Sequence, residues 1–119
     1  MKYMLLIYQD EAVLDNAMRE ACYGESSQLA HDIQASGHYL GASPLQSIST
    51  AASVRVRDGK RLVTDGPFAE TREQLGGYFL VEAQNRDEAI EIAGRIPGAK
   101  FGTVEVRPMV ELPNLRDDS

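Results

Sequence analysis

Two carboxylates and a guanidinium crowd together at Glu70, Arg72 and Glu73. If this stretch forms one helical turn, Glu70 and Glu73 share a side at i, i+3. Paired carboxylates split their pKa values, so that one can serve as acid and the other as base. The pair could also hold a divalent cation, although such an ion takes more oxygen ligands than two side chains offer. The structural alternative is a solvated charged turn. A second pair, Glu105 and Arg107, alternates with Val104 and Val106. On a strand both charges project from the face opposite the valines. A buried charge there needs a partner. The two can pair with each other, across a two-fold axis, or with the Glu70–Glu73 turn. As a ligand contact, Arg107 offers a planar fork to a substrate carboxylate. Asp65, in Asp65-Gly66-Pro67-Phe68, either shapes a pocket rim or holds an Asx-type turn at a strand exit. Tyr8 either brings a phenol into the same cavity or is a core tyrosine with its hydroxyl at the rim.

The remaining reactive side chains offer less. His31 and Asp32 are neighbours on a helix and do not face each other. His31 lies about 200° around the helix from Leu29, on the solvated side. His38 follows Gly37 and reads as a turn histidine. Cys22 is the only cysteine, which excludes an intrachain disulfide, and it reads as a small helix-face hydrophobe. The chain has no Cys/His metal spacing, phosphate loop, nucleophile elbow or dinucleotide fingerprint. Neither a metal nor an organic cofactor is therefore expected.

Strands and helices must position these groups. Lys2 to Tyr8 reads as a strand that is apolar on both alternating faces, with Tyr3, Leu5 and Ile7 on one and Met4, Leu6 and Tyr8 on the other. Asp10 to Ser36 reads as a short helix and then a longer one, weakened at Gly24 and stopped at Gly37. His38-Tyr39-Leu40-Gly41 opens a second strand. Val54–Arg57 and Lys60–Val63 flank Asp58-Gly59, the signature of a two-residue type I′ hairpin. Leu75 to Ala83 is a long strand, apolar on both faces, in which Gly76-Gly77 marks a bulge or a close approach. Asn85 is an N-cap with Glu88 at the third helical position, and Ala89, Ile92, Ala93 and Ile96 form a buried stripe. Thr103 to Pro108 is the last strand, and the tail at 111–119 reads as frayed.

The order is thus α+β, a ferredoxin-like βαββαβ plan with an inserted β-hairpin. Two helices cover one face of such a sheet. Both long strands are nevertheless apolar on both faces, so a second subunit related by a two-fold axis is expected on the other.

The run Val63-Thr64-Asp65-Gly66-Pro67-Phe68-Ala69-Glu70-Thr71-Arg72-Glu73-Gln74-Leu75-Gly76-Gly77-Tyr78-Phe79-Leu80 resembles the signature of the YCII-related, or DGPF, family. The likeness extends to residues 1–10, 40–45 and 89–97 and to Val104-Glu105-Val106-Arg107-Pro108, so the domain spans 1–110. The resemblance implies a dimeric α/β barrel. Many relatives carry lysine where this chain has Arg72, and arginine keeps the charge while excluding proton transfer. Relatives resemble small isomerases and monooxygenases, and others are linked to alternative sigma factors. A first-helix histidine paired with an aspartate, suspected as an acid–base site in one branch, has no counterpart here.

A net charge of −6 argues against a nucleic-acid or anionic-membrane partner. The cations Arg55, Arg57, Lys60 and Arg61 have no aromatic residues between them, so they read as charged edge strands rather than an RNA surface. No leader or membrane span is evident, and a cytoplasmic location is expected. The expected activity is small-molecule binding at a polar cavity, with cofactor-free isomerase- or lyase-like chemistry. Glu70 and Glu73 would be catalytic there, with Arg107, Asp65, Tyr8, Arg72 and Glu105 binding substrate. The alternatives are a non-catalytic regulatory module that senses a metabolite, linked to transcription, and a purely structural oligomer.

Overall fold

In a computed structural model, residues 1–113 are described; the tail expected at 111–119 falls mostly outside them. The elements are β1 (Lys2–Gln9), α1 (Asn16–Ala35), β2 (Tyr39–Pro44), β3 (Ala52–Arg57), β4 (Lys60–Asp65), β5 (Gln74–Glu82), α2 (Arg86–Gly94) and β6 (Thr103–Pro108). Short 3-10 turns occupy Ile48–Thr50 and Pro97–Lys100. An antiparallel sheet runs in the order β2-β5-β1-β6, and β3 pairs only with β4. With the hairpin set aside, this is the ferredoxin-like α+β arrangement. No helix among the described residues is long and apolar enough to cross a membrane.

The core lies between the sheet and the two helices. Leu5 and Val81, from adjacent strands, are fully buried against Ile33 of α1 and Ala89 of α2. Ile96, just beyond α2, closes the same cluster. Each such aliphatic side chain stabilises the fold by about 1.5–3 kcal/mol relative to exposure. On β6, Val104 and Val106 face this core and Glu105 and Arg107 face away, as their alternation requires.

The first helix differs from its sequence reading. It is one helix of 20 residues, not two. Gly24 is exposed, with open space where a Cβ would stand, so nothing forces a break there. Residues before Asn16 form a turn instead, held by Val13 N–H on the Asp10 carbonyl at 3.1 Å. Asp15 caps α1 by accepting from Met18 N–H at 2.8 Å. Gly37 ends it with φ +83, where Gly37 N–H reaches Gln34 O and His38 N–H reaches Ile33 O, a Schellman closure. Asn85 caps α2 as expected, accepting from Glu88 N–H at 2.9 Å. The Glu88 carboxylate, however, takes the Gln84 N–H rather than that of Asn85.

The glycine pair in β5 has two jobs. Register slips between Ile7 and Tyr8, so Gly76 is the unpaired residue of a bulge opposite β1. At Gly77 a Cβ would stand 2.9 Å from the Ser43 carbonyl oxygen, so only glycine lets β2 approach this closely. The bulge bends β5 opposite the end of β1, where Tyr8 pairs with Leu75.

On the sheet face away from the helices, Met4 pairs with Leu80 and Leu6 with Tyr78. Glu105 stands beside Leu6 and Arg107 beside Met4 on that same face. Neither helix covers it. The hairpin turns at Asp58 (φ 52) and Gly59 (φ 72), the two left-handed positions of a type I′ turn. Both its strands are exposed except at Ser53.

Candidate functional site

A cleft of about 940 Å³ opens where the C-terminal end of β1 meets two loops. One wall is the segment from Leu45 to Ser53, and the other is the loop from Pro67 to Leu75. Each wall is fixed by a side chain remote from the chemistry. The Glu11 carboxylate accepts Ser47 Oγ–H at 2.8 Å and Ile48 N–H at 2.7 Å, which ties the first wall to the end of β1. The Gln74 amide donates to the carbonyls of Ala69 (2.8 Å) and Thr71 (2.9 Å), which folds the second wall back on β5.

Tyr8, Glu73, Thr103 and Glu105 are among its polar side chains and include both of its charged ones. Thr103 Oγ donates to Glu73 Oε1 at 2.9 Å. Tyr8 Oη lies 3.5 Å from Glu105 Oε1, longer than a full O–H···O bond, so both atoms keep capacity for a further partner. Leu45, Ile48, Phe68 and Leu75 are its large apolar lining residues. Phe68 is 82% exposed at the mouth. A cavity of this size, mostly apolar with a few convergent polar atoms, has the make-up of a small-molecule site. Its charged groups are carboxylates, and no lysine or arginine lines it.

Of the side chains singled out in the sequence, the fold therefore brings together Tyr8, Glu73 and Glu105. It does not bring in the others. The stretch from Pro67 to Glu73 forms bends rather than a helical turn, so Glu70 and Glu73 do not share a side. Glu70 and Arg72 are exposed and lie outside the cleft lining. Asp65 ends β4, and its carboxylate takes no hydrogen bond among the described residues. The turn after it is held by the backbone instead, with Gly66 N–H on Ala51 O at 2.7 Å and Ser53 Oγ–H on Gly66 O at 2.8 Å. Arg107 is exposed on the helix-free face and pairs with neither Glu105 nor Glu73 among the described residues. Two of the three pairings expected for it are thus not formed within one chain. Glu11, Gln74 and Thr103 were not legible as site residues. Their partners are set by loop geometry, and no local pattern announces them.

Ser36, His38 and Glu88 form a second constellation. His38 Nε2 donates to Glu88 Oε1 at 3.0 Å, and Nδ1 lies 2.8 Å from Ser36 Oγ. Serine, imidazole and carboxylate in this order mimic a nucleophilic triad. The arrangement lacks an oxyanion hole, because it sits at a helix C-terminus. The N–H groups of Ser36, Gly37 and His38 are all spent on the carbonyls of Asp32, Gln34 and Ile33. It is a clamp joining the end of α1 to the start of α2. The Gln84 N–H bond, then the His38 contact, holds the Glu88 carboxyl below its usual range.

Beneath α1 a smaller hollow of about 210 Å³ is lined by Cys22, Gln9 and Ser26. Burial, and then the nearby Glu25 carboxylate, pushes the Cys22 thiol up, which starves it of thiolate and fits an unreactive helix-face residue. No group of three or more His, Cys, Asp and Glu side chains among the described residues is placed to hold a metal ion.

Comparison with known proteins places this geometry in a family. The chain is 34% identical to an uncharacterized protein of Rhizobium meliloti (strain 1021), over 96% of this chain and all of that one. The family model for the YCII-related domain matches residues 1–113, which takes in both walls of the cleft and every strand of the sheet. The chain belongs to the YCII-related domain family.

Proposed function

We propose that this protein binds a small organic molecule in the cleft at the end of β1, and that a second copy packs on the adjoining helix-free sheet face. The observation that carries the proposal is the convergence of Tyr8, Glu73 and Glu105 in a large, mostly apolar cleft. The lining sets the ligand class. Two carboxylates with no cation beside them repel an anion and welcome hydrogen-bond donors. A neutral or cationic molecule, such as a polyol or an amine, fits better than the carboxylate substrate that Arg107 suggested. Dimerisation follows from the uncovered apolar pairs Met4–Leu80 and Leu6–Tyr78, and it gives Arg107 an opportunity to pair across the two-fold.

Carboxylates in such a cleft can take a proton from a bound molecule, which supports cofactor-free isomerase- or lyase-like chemistry. Glu73, held by Thr103, is the base on this reading, and Tyr8 and Glu105 bind.

A thermal-shift screen tests the assignment. A ligand at 100 times its Kd adds about 2.7 kcal/mol, which raises the Tm by roughly 10 °C in a domain of this size, at about 4 °C per kcal/mol. Polyols and amines should give hits that shrink in Glu73→Gln and Tyr8→Phe. Hits confined to anions, or untouched by both variants, place the ligand elsewhere. Proton NMR of the bound hit in D2O then separates catalysis from sensing. Deuterium entering a carbon position at a rate abolished by Glu73→Gln marks an enzyme. Binding without exchange marks a sensor.

A further inference from the structure

The β3–β4 hairpin stands away from the body of the molecule and is amphipathic across its own thickness. Cross-strand register puts Ala52, Val54 and Val56 on one face with Asp65, Val63 and Arg61. Arg55, Arg57 and Lys60 lie on the other, with Leu62. The three valines are all more than half exposed, Val54 at 59%, Val56 at 62% and Val63 at 56%. An isolated two-stranded hairpin is marginally stable in water, and one with a bare valine face is a surface awaiting cover.

Charge says what kind of cover. Residues 52–65 carry four cations against two carboxylates, a net of +2. The remaining residues carry eight cations against sixteen carboxylates, a net of −8. A cationic arm on an acidic body is complementary to a second copy of the same chain, and in a two-fold dimer the contact is made twice. The area agrees. The chain exposes 8459 Å², against about 6,400 Å² for a compact monomer of its mass. The six residues beyond the described ones contribute at most about 1,000 Å² even when fully extended. The remaining excess of about 1,000 Å² matches what one partner gives to a stable interface, about 800 Å² or more. The radius of gyration of 15.9 Å likewise exceeds the roughly 13.5 Å of a compact chain of this length.

We infer that the β3–β4 arm clasps a second copy of this chain, its valine face, with Arg61, packed on the partner and its net positive charge drawn to the partner's acidic body. The inference rests on the dimer proposed above and adds the element that locks it. Ala52 and Ser53, at the base of the arm, also line the cleft, so seating the arm sets one cleft wall. The site is complete only in the dimer.

Sedimentation equilibrium on the full chain tests this with three variants. Val54→Ser/Val56→Ser/Val63→Ser should raise the dimer Kd roughly tenfold or more, because three buried apolar side chains are lost. Its far-UV circular dichroism should not change, since all three residues are exposed within one chain. Raising NaCl from ~0.05 to ~0.5 M should weaken the wild-type dimer, and Arg55→Gln/Arg57→Gln/Lys60→Gln should flatten that dependence. Leu80→Arg, on the sheet face, should give monomers whatever the arm does. If Leu80→Arg is monomeric while both arm variants keep the wild-type Kd and salt slope, the arm proposal falls and the sheet-face dimer stands. A wild-type chain that stays monomeric overturns both.

Discussion

Glu88 receives hydrogen bonds from Gln84 N–H and from His38 Nε2, each at 3.0 Å. The first was close to legible, because an acidic residue three positions after an N-cap is a local pattern. The second was not, since His38 and Glu88 are 50 residues apart and meet only because α1 and α2 pack on the same sheet face. The consequence is a pH dependence with a definite sign. The folded state lowers the Glu88 pKa from its ordinary 4.5, mainly through the Gln84 bond. A depressed carboxyl contributes stability that is fully present above the ordinary value and is lost as pH falls through the depressed one. Glu88→Gln should therefore lower the urea midpoint at pH 6, and the gap from wild type should close on titration through pH 4.5 and below. A gap constant across that range would mean that packing, not ionisation, carries the effect. Glu70 and Glu73 behave in the complementary way at this scale. Their spacing was informative only if a helix formed, and the Gln74 clamp folds the stretch into bends that separate them.

Among the elements, those specified by neighbouring residues were the most legible. The Asp58-Gly59 hairpin needs two left-handed positions, and those two residues tolerate them. The Gly76-Gly77 bulge and the α2 stripe were likewise written locally. The continuity of α1 was not. Gly24 costs about 1 kcal/mol against alanine, too little to split a helix anchored by Asp15 at one end and by buried Leu29 and Ile33 near the other. Because Gly24 is exposed and no atom lies within 4 Å of a Cβ built there, Gly24→Ala should stabilise the protein. The gain should be about 0.5–1 kcal/mol, seen as a higher urea midpoint with an unchanged m-value. A loss of stability would show that α1 bends at Gly24 in solution. The cleft walls lie at the illegible extreme. Glu11 meets Ser47 across 36 residues, and nothing in either neighbourhood signals the other.

At the scale of the whole molecule, the alternation of side chains leaves one apolar sheet face without a helix over it. β1 and β5 are apolar on both faces, two helices bury one of them, and the other displays Met4, Leu6, Tyr78 and Leu80. Alternation along strands made this legible, but it could not show that the hairpin would stand clear of that face rather than fold over it. If folding and pairing are linked through this surface, stability is a function of concentration. Each tenfold rise in protein adds about 1.4 kcal/mol to a dimer that unfolds to separate chains. For the combined length of two chains that is roughly 3–6 °C in Tm. Differential scanning calorimetry over a hundredfold range of concentration should show the midpoint climbing accordingly, and Leu80→Arg should remove the climb while lowering the Tm at high concentration. A midpoint indifferent to concentration would mean that each chain holds its own fold. In that case the helix-free face is tolerated in water, and the cleft must bind its ligand with the walls one chain provides.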